Sequence, residues 1–316
     1  SRSKIQHNPM KKDSFEGILC LPVTPFNRKD EVDEASLRQI TEKLITDGVS
    51  ALVPTGATGE FPHLLHEERK QIWEIVLDQA NGRVPILAGT GAISTKESLM
   101  FTQQALDVGC DGVMLSHPLL FNTTDEETYG YFRKIATKVD IPILMYNNPG
   151  LGKSMSPGVI ERLADDFDNI VSYKEDDFDN DRFAKIIYRC RKKISIFIGN
   201  PAVYLSFLSH GAHGPLIAQY QSFPHLIHGL KESFEKGDTE KTMHYHEMIM
   251  KMFEIINRNF VGTSFAGYHK AIWKIRGADL DLRVRGPQTP AKPEMLEKAK
   301  AEFMELNIPD NWYVDC

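Results

Sequence analysis

The sequence lacks the features that mark secreted, membrane and nucleic-acid-binding proteins. Its 316 residues include no apolar run near the roughly 18 residues of a membrane span, and residues 1–12 are polar, not signal-like. A net charge of −6 without a long basic run disfavours a nucleic-acid partner. The four cysteines are widely separated and form no CxxC pair, which disfavours a disulfide framework and a zinc site: Cys20, Cys110, Cys190 and Cys316. We therefore expect a cytoplasmic protein with neither a membrane nor a nucleic-acid partner.

Two motifs for bound groups are also missing. No G-x-G-x-x-G run follows the first predicted strand, as a dinucleotide-binding sheet would require. The run that begins at His66 reads H-E-E-R and not H-E-x-x-H, the metal-binding motif. His244 and His246 stand two apart on a predicted helix, so they point to different sides and do not suit one metal ion. We expect no metal and no cofactor.

What the sequence does contain is a repeated rhythm of short apolar run, turn and amphipathic helix. In the helix predicted over 67–80, Ile72, Ile75, Val76 and Ala80 have the three-and-four spacing of one helix face. Eight such strands alternating with helices fit a parallel sheet closed into a (β/α)8 TIM barrel, with an open doubly wound sheet as the alternative. The predicted strands are Gly17–Val23, Ser50–Pro54, Val84–Gly89, Gly112–Ser116, Ile141–Tyr146, Ile170–Lys174, Ile194–Ile198 and Gly214–Ala218.

The chain continues well past the eighth predicted strand. Helical patterns occur there without any new strand, and the last of them follows a proline-rich link: Phe223–Lys236, Thr239–Asn257, Gly267–Arg276 and Glu294–Leu306. This pattern indicates an α-helical appendage and not a second enzyme domain. We predict an N-terminal segment over 1–16, a barrel over 17–236 and a C-terminal helical extension over 237–316.

Lys174 is unusual for its predicted position at the end of a buried strand. Strand-favouring residues 170–173 precede it, and the acidic residues 175–177 follow at once. Burial of an ammonium group is costly, and a low dielectric favours the neutral amine, which is the form that attacks carbonyl carbons. A lysine whose head group reaches solvent at the strand end is the alternative.

Two other predicted strand ends carry polar groups on the same side of the barrel, where barrel enzymes place their chemistry. The second strand leads into Gly56-Ala57-Thr58, a turn whose N–H groups and hydroxyl can hold a carboxylate, although Gly/Thr turns are also common structural features. The fifth strand ends at Tyr146, which is either a proton-transfer group or a core tyrosine with a satisfied hydroxyl.

Taken in order, these motifs resemble the dihydrodipicolinate synthase / N-acetylneuraminate lyase family. The residues that carry the resemblance are G-A-T-G-E at 56–60, Y-N-N-P at 146–149 and the strand-end Lys174. Supporting runs are P-V-T-P-F at 22–26, V-P-I-L-A-G at 84–89, G-C-D-G at 109–112 and G-A-H-G at 211–214. The similarity extends from Gly17 to about Leu306. Members of the family bind pyruvate or another 2-oxo acid through a Schiff base, usually as homotetramers.

The resemblance implies a role for each candidate residue. Lys174 would form the Schiff base with the substrate ketone, and Tyr146 would relay protons and contact the substrate carboxylate. The remaining substrate-binding positions that it implies are Gly56, Ala57, Thr58, Leu151 and Leu216. It also implies a small 2-oxo acid as substrate, no cofactor, and a homo-oligomer that is a dimer or a tetramer.

Three positions depart from the pattern of the family. Ala57 stands where members often have a second hydroxyl residue, and Leu120 where synthases and lyases have an aromatic hydroxyl donated across a subunit interface. Leu151 stands where dihydrodipicolinate synthase has an arginine. The Gly-x-Thr-Gly-Glu-Phe run at 56–61 and the missing interface tyrosine look more like the keto-deoxy sugar-acid dehydratases of the family.

The sequence thus predicts a lyase that acts through a Schiff base at Lys174. The expected reaction is aldol cleavage or condensation, or dehydration, of a 2-keto-3-deoxy sugar acid. The first alternative is 4-hydroxy-tetrahydrodipicolinate (dihydrodipicolinate) synthase. An alternative of another class is a non-catalytic protein that binds a 2-oxo acid.

Overall fold

Strands and helices alternate as far as residue 215 of the computed structural model, and helices follow; the structure describes residues 10–11 and 13–314. Residues 1–9 and 12 of the predicted N-terminal segment, and Cys316, lie outside the described residues. The strands are β1 (Leu19–Cys20), β2 (Ala51–Leu52), β3 (Leu87–Gly89), β4 (Gly112–Ser116), β5 (Ile143–Asn147), β6 (Ile170–Glu175), β7 (Ser195–Ile198) and β8 (Gly214–Pro215).

The helices of the first two thirds of the chain each follow a strand. They are α1 (Glu34–Thr46), α2 (His66–Ala80), α3 (Thr95–Val108), α4 (Asp125–Ala136), α5 (Pro157–Asp166), α6 (Asn180–Cys190) and α7 (Tyr204–His210). Five of them begin after a side chain that accepts a hydrogen bond from a free N–H of the first turn, as helix N-caps do. These caps are Asp33, Ser94, Thr124, Ser156 and Asp179.

Internal contacts divide the chain into two compact units. Unit 1 comprises Ser1–Gly17 and Gly89–Leu216, and unit 2 comprises Ile18–Ala88 and Ile217–Cys316. The eight predicted strands are all present, but they form two parallel sheets, one of two strands and one of six. The α/β class, the parallel pairing and the C-terminal helices are therefore as predicted.

Strands β4 to β8 lie within unit 1 in a sheet whose order is β3-β4-β5-β6-β7-β8. Every pair with a recorded register is parallel, and the register places Ser116 beside Tyr146, Tyr146 beside Lys174, and Lys174 beside Phe197. The strands are buried over their full length, as expected for a parallel sheet covered on both faces. This sheet fixes the relative positions of the strand-end residues.

Unit 2 contains the pair β1–β2 and four C-terminal helices. The parallel pair matches Leu19 with Ala51 and Cys20 with Leu52, and Leu52 makes a further parallel bridge to Ile86. The four helices are α8 (Pro224–Glu235), α9 (Thr239–Asn259), α10 (Phe265–Ile275) and α11 (Pro293–Phe303). Their bounds agree with the sequence prediction within about three residues, and no strand occurs among the described residues after 215.

Several strands are shorter than the apolar runs predicted. The runs 17–23, 50–54 and 84–89 contain Pro22, Pro54 and Pro85, and their ladders contain only two or three residues each. Proline has no N–H for a sheet ladder, so an apolar run that includes it makes fewer pairings than its length indicates. The strand Gly112–Ser116, which lacks proline, has the predicted bounds.

In the described part of the chain, none of the helices is both long and apolar enough for a membrane span.

Candidate active site

The carboxyl ends of β5 and β6 bring Tyr146 and Lys174 together in unit 1. The two residues are register partners on neighbouring parallel strands, so their side chains leave the sheet at the same height. Lys174 Nζ lies 4.3 Å from the centre of the Tyr146 ring. The register and this distance place the two strand-end side chains next to each other.

The amine of Lys174 is buried and is next to a carboxylate. Its residue is 3% exposed, and Nζ lies 3.3 Å from Asp176 Oδ2. Burial lowers the pKa of Lys174 below its ordinary value, because the ammonium form loses hydration; Asp176 opposes that shift. Burial is the larger effect, so the neutral, nucleophilic amine is more accessible here than on a surface lysine.

The phenol of Tyr146 is held between two polar side chains. Its hydroxyl donates to Asp176 Oδ2 at 2.6 Å and accepts from Asn148 Nδ2 at 2.8 Å. Burial, and then the nearby Asp176 carboxylate, raise the pKa of Tyr146 well above its ordinary value. The hydroxyl therefore remains protonated near neutral pH and is a proton donor beside the Lys174 amine.

The other face of β6 carries a separate polar cluster. Glu175 accepts hydrogen bonds from Tyr173 OH, Asn147 Nδ2 and the Asp177 N–H, at 2.8, 2.8 and 2.9 Å, and its Oε2 lies 3.1 Å from Arg182 Nε. Burial raises the pKa of Glu175 to about 7, against the opposing effect of Arg182. Strand alternation places Tyr173 and Glu175 on the face of β6 opposite Lys174, and the hydrogen bond between their side chains agrees with this placement.

Gly199, directly after β7, has no side chain, and the Lys174 and Asp176 side chains occupy the space that one would fill. A Cβ at this position would lie 1.4 Å from Asp176 Oδ1 and 2.8 Å from Lys174 Cε. Its N–H donates to the Glu175 carbonyl at 3.1 Å, so the backbone is fixed where the side chains pass. Glycine is thus required here by close approach and not by a special backbone angle.

The turn that follows β2 lies in unit 2 and is well ordered by its own hydrogen bonds. Glu60 N donates to Ala57 O at 3.0 Å, and Phe61 N donates to Gly56 O at 3.3 Å. Thr58 is buried whereas Ala57 is exposed. Thr55, which precedes the turn, has φ 59°, the left-handed conformation that lets a short loop reverse direction.

Two leucines that replace polar residues of the family pattern are neighbours in unit 1. Leu120 N donates to Leu151 O at 2.8 Å, and Leu151 N donates to Asn148 O at 3.0 Å. Leu151 is partly buried, and Leu120 is 67% exposed with φ 75°. Leu216, the remaining predicted substrate-binding residue, is fully buried, and its N–H donates to Ile198 O at 3.0 Å.

The sequence predictions missed three parts of this arrangement. Asp176 faces Lys174, Asn148 bonds the Tyr146 phenol, and Gly199 makes room for both strand-end side chains. The period-two alternation of an extended strand could have placed Asp176 on the face of Lys174. No local signal distinguishes Gly199 from a turn glycine, because its role depends on β6.

A model of the dihydrodipicolinate synthetase family matches residues 14–305. The chain belongs to this family. It is accordingly an enzyme of the lyase type, which makes or breaks carbon–carbon or carbon–oxygen bonds.

Individual relatives agree with that assignment. The chain is 32% identical over 291 residues to a protein of Geotalea daltonii named 4-hydroxy-tetrahydrodipicolinate synthase, with 92% of this chain and 99% of that protein covered. Its structure resembles that of dihydrodipicolinate synthase from Aquifex aeolicus, with a TM-score of 0.85, 29% identity, and coverage of 93% and 99%. A third similar structure is described as the first monomeric dihydrodipicolinate synthase variant (TM-score 0.85, 25% identity, coverage of 93% and 98%).

Proposed function

We propose that Lys174 forms a Schiff base with pyruvate or a related 2-oxo acid. The observation that carries this proposal is the buried Lys174 amine, whose pKa is lowered by burial and which lies beside the Tyr146 ring and the Asp176 carboxylate. A neutral amine attacks the ketone carbon, and the protonated imine that results withdraws electrons from the adjacent carbon. That carbon can then lose a proton, or a carbon–carbon bond to it can form or break.

The same proposal assigns the other predicted residues. Tyr146 would donate and accept protons during these steps, since its hydroxyl is kept protonated close to Lys174. Gly56, Ala57 and Thr58 would hold the substrate carboxylate through their N–H groups and the Thr58 hydroxyl. Their place in the site rests on the family pattern.

We propose the following overall organisation on the same basis. The eight strands would form one (β/α)8 barrel over 17–236, with the helical extension over 237–316, and the chain would assemble as a dimer or tetramer. A cytoplasmic location fits the three described cysteines, Cys20, Cys110 and Cys190, which are buried free thiols.

We infer that the overall reaction is the one catalysed by 4-hydroxy-tetrahydrodipicolinate synthase, the condensation of pyruvate with aspartate semialdehyde. The relatives bearing that name are 32% identical across almost their whole length, and this outweighs the three departures on which the sugar-acid prediction rests. The order of the two functions predicted from sequence is therefore reversed. Cleavage or dehydration of a 2-keto-3-deoxy sugar acid is the second candidate, favoured by the apolar neighbours Leu120 and Leu151.

The experiment that tests the Schiff base is borohydride reduction in the presence of pyruvate, read by intact mass and peptide mapping. We expect one pyruvate-derived group per chain, located at Lys174. Lys174→Ala should remove the label, whereas the control Lys185→Ala, at an exposed residue of α6, should keep it. A label that persists in Lys174→Ala would show that another lysine carries the chemistry.

A coupled assay on the same preparation separates the two reactions, with Lys174→Ala as the blank. We expect turnover of pyruvate with aspartate semialdehyde, but with a high KM for the aldehyde, because Leu151 cannot pair with its carboxylate as a guanidinium does. Leu151→Arg should lower that KM by about tenfold, which corresponds to about 1.4 kcal/mol. Turnover of a keto-deoxy sugar acid alone, by both proteins, would move the assignment to the second candidate.

A further inference from the structure

One carboxylate oxygen in unit 1 touches both groups of the proposed chemistry. Asp176 Oδ2 lies 3.3 Å from Lys174 Nζ and accepts the Tyr146 hydroxyl at 2.6 Å. Only 13% of the Asp176 side chain is exposed, so water does not screen these interactions effectively. Among the described residues, this is the carboxylate in direct contact with the Lys174 amine.

The hydroxyl of Tyr146 directs its hydrogen towards Asp176. A phenol has one hydrogen to donate, and here it is directed to Asp176 Oδ2. The Tyr146 oxygen already accepts from Asn148 Nδ2, which fixes this direction. A proton that leaves Tyr146 in this arrangement therefore passes to Asp176, and one that returns comes from it.

The second oxygen of Asp176 has a different environment. Oδ1 is buried and has no hydrogen-bond partner among the described residues. It lies in the space left by Gly199, where any Cβ would overlap it. A buried carboxylate oxygen without a partner is costly, which is unusual for a residue with a purely structural role. It is also the atom free to accept a proton or to bond a substrate hydroxyl.

We propose that Asp176 is a catalytic acid–base residue for imine formation and for proton exchange at the carbon next to the imine. The proposal rests on the Schiff base at Lys174 proposed above. It also explains how a chain with Ala57 and Leu120, which lack the hydroxyls of the family pattern, can still move protons at this site.

The steps balance as follows. The Lys174 ammonium first gives a proton to the Asp176 carboxylate 3.3 Å away, which leaves a neutral amine and protonated Asp176. The amine adds to the ketone, a C–N bond forms, and a proton moves from nitrogen to the former carbonyl oxygen. Protonated Asp176 gives its proton to that hydroxyl, the C–O bond breaks, water leaves, and the nitrogen lone pair completes the C=N bond. The products are a cationic imine and anionic Asp176. The carboxylate then takes a proton from the adjacent carbon, which leaves a neutral enamine and protonated Asp176.

Removal of the Asp176 charge has two effects of opposite sign. The carboxylate raises the pKa of Lys174, so its loss should lower that pKa further and increase the fraction of neutral amine at a given pH. If Asp176 acted only as a counter-ion, its removal should speed imine formation. If Asp176 is an acid–base residue, its removal should slow imine formation.

Charged groups other than Asp176 could also affect the pKa of Lys174, so the segments around β6 are considered in turn. β7 and the residue after it present Phe197 and Gly199, which carry no charge. Among the described residues, the other titratable or charged side chains on β6 and the segments bonded to it include Tyr146, Tyr173, Glu175, Asp177, Arg182 and His117. Glu175 and Arg182 pair with each other on the opposite face of β6, and His117 bonds the carbonyls of Pro118 and Asn148.

The test compares Asp176→Asn with Asp177→Asn in the full chain. Asp177 is the matched control, because it carries the same charge one residue later but bonds Ser154 and lies 3.6 Å from Arg182 Nε. The rate of borohydride-trapped pyruvate adduct should fall by about 10²-fold or more in Asp176→Asn, the usual scale for a positioned acid–base group. The acidic limb of its pH profile should move to lower pH. Asp177→Asn should retain the wild-type rate and profile.

A second variant guards against a change in the fold. Asp176→Ala leaves a cavity that formate can enter, and formate should restore part of the trapping rate in this variant but not in Asp177→Asn. An Asp176→Asn protein that forms the adduct as fast as wild type, or faster, would overturn the proposal. If wild-type protein forms no adduct at Lys174 at all, the proposed Schiff base fails instead, so the two failures are distinguishable.

Discussion

At the residue scale, the site depends on which side of β6 each side chain takes. Lys174 and Asp176 share one face, and Tyr173 and Glu175 share the other. The alternation keeps Arg182 with Glu175, so the only carboxylate in contact with Lys174 in the described chain is Asp176. Strand β6 and the residue directly after it thereby hold two acid groups in different environments.

Tyr146→Phe tests the proton-transfer role at this scale. The variant loses the hydroxyl that is bonded to Asp176 and Asn148 but keeps the ring beside Lys174. We expect turnover to fall by about 10²-fold or more, while the pyruvate adduct still forms slowly under borohydride. Steady-state turnover and adduct mass on the same sample measure the two effects.

The matched control is Tyr131→Phe. Tyr131 is also a buried tyrosine of unit 1, and its hydroxyl donates to Ser98 Oγ at 3.0 Å. This variant should turn over like wild type. Near wild-type turnover in Tyr146→Phe would assign Tyr146 to the core and leave the proton transfers to other groups.

At the scale of elements, the turn after β2 is tied to the C-terminal helices of unit 2 by a buried ion pair. Glu60 Oε2 lies 2.7 Å from Lys270 Nζ on α10, and both side chains are fully buried. Glu60 Oε1 accepts from Arg285 N and Gln288 Nε2 at 2.8 and 2.9 Å. The glutamate of the G-A-T-G-E motif thus has a structural role that the sequence reading did not assign.

Lys270→Met should destabilise the protein through this pair. Burial lowers the pKa of Lys270 to about 8 despite Glu60, so the charges are already costly to bury. Without Lys270, Glu60 keeps a buried, unpaired charge, and we expect the free energy of unfolding to fall by about 3–5 kcal/mol. Urea denaturation measures this loss.

Two further variants test whether the loss of stability in Lys270→Met comes from the buried ion pair. Lys274→Met, at an exposed lysine 3.7 Å from Asp279, should change the free energy of unfolding by about 0.5 kcal/mol or less. The double variant Glu60→Gln/Lys270→Met should lose less than the sum of its single variants, because it removes both charges. Strict additivity would show that the pair is not coupled.

Elements were predictable from sequence where local signals decide them. The helix faces, the capping residues and the order of the strands all appear in the local pattern, and Gly112–Ser116 has the predicted bounds. Strand ends were less predictable, because apolar runs with Pro22 or Pro54 continue past their last ladder bond. The Glu60–Lys270 pair joins residues 210 positions apart, and periodicity carries no information about such a pair.

At the scale of the whole molecule, the candidate site was only partly predictable. Lys174 and Tyr146 were identified from sequence because polar side chains are unusual at the ends of buried strands. The register of β5 and β6 then places the two residues side by side. Asn148 and Gly199 could not be assigned roles in advance. Their functions depend on which side chain passes each of them, and only the pairing of β5, β6 and β7 determines that.

The apolar segment after β4 bears on how the whole molecule assembles. Leu120 and Phe121, after β4, are 67% and 70% exposed, and we propose that this segment lies at a subunit interface. Burial of such side chains against a partner is favourable by roughly 1.5–3 kcal/mol each. We expect light scattering to report a dimer or tetramer, and Leu120→Asp to shift it towards smaller species.

A charge placed elsewhere on the surface provides the control. Tyr188→Asp, on α6, alters a side chain that is 90% exposed and should leave the mass unchanged. Because Leu120 has no hydroxyl to donate to a neighbouring site, the smaller species of Leu120→Asp should still form the pyruvate adduct at Lys174. A wild-type protein that is monomeric and fully active would contradict the proposed assembly. Loss of the adduct on dissociation would instead show that each site needs its neighbour.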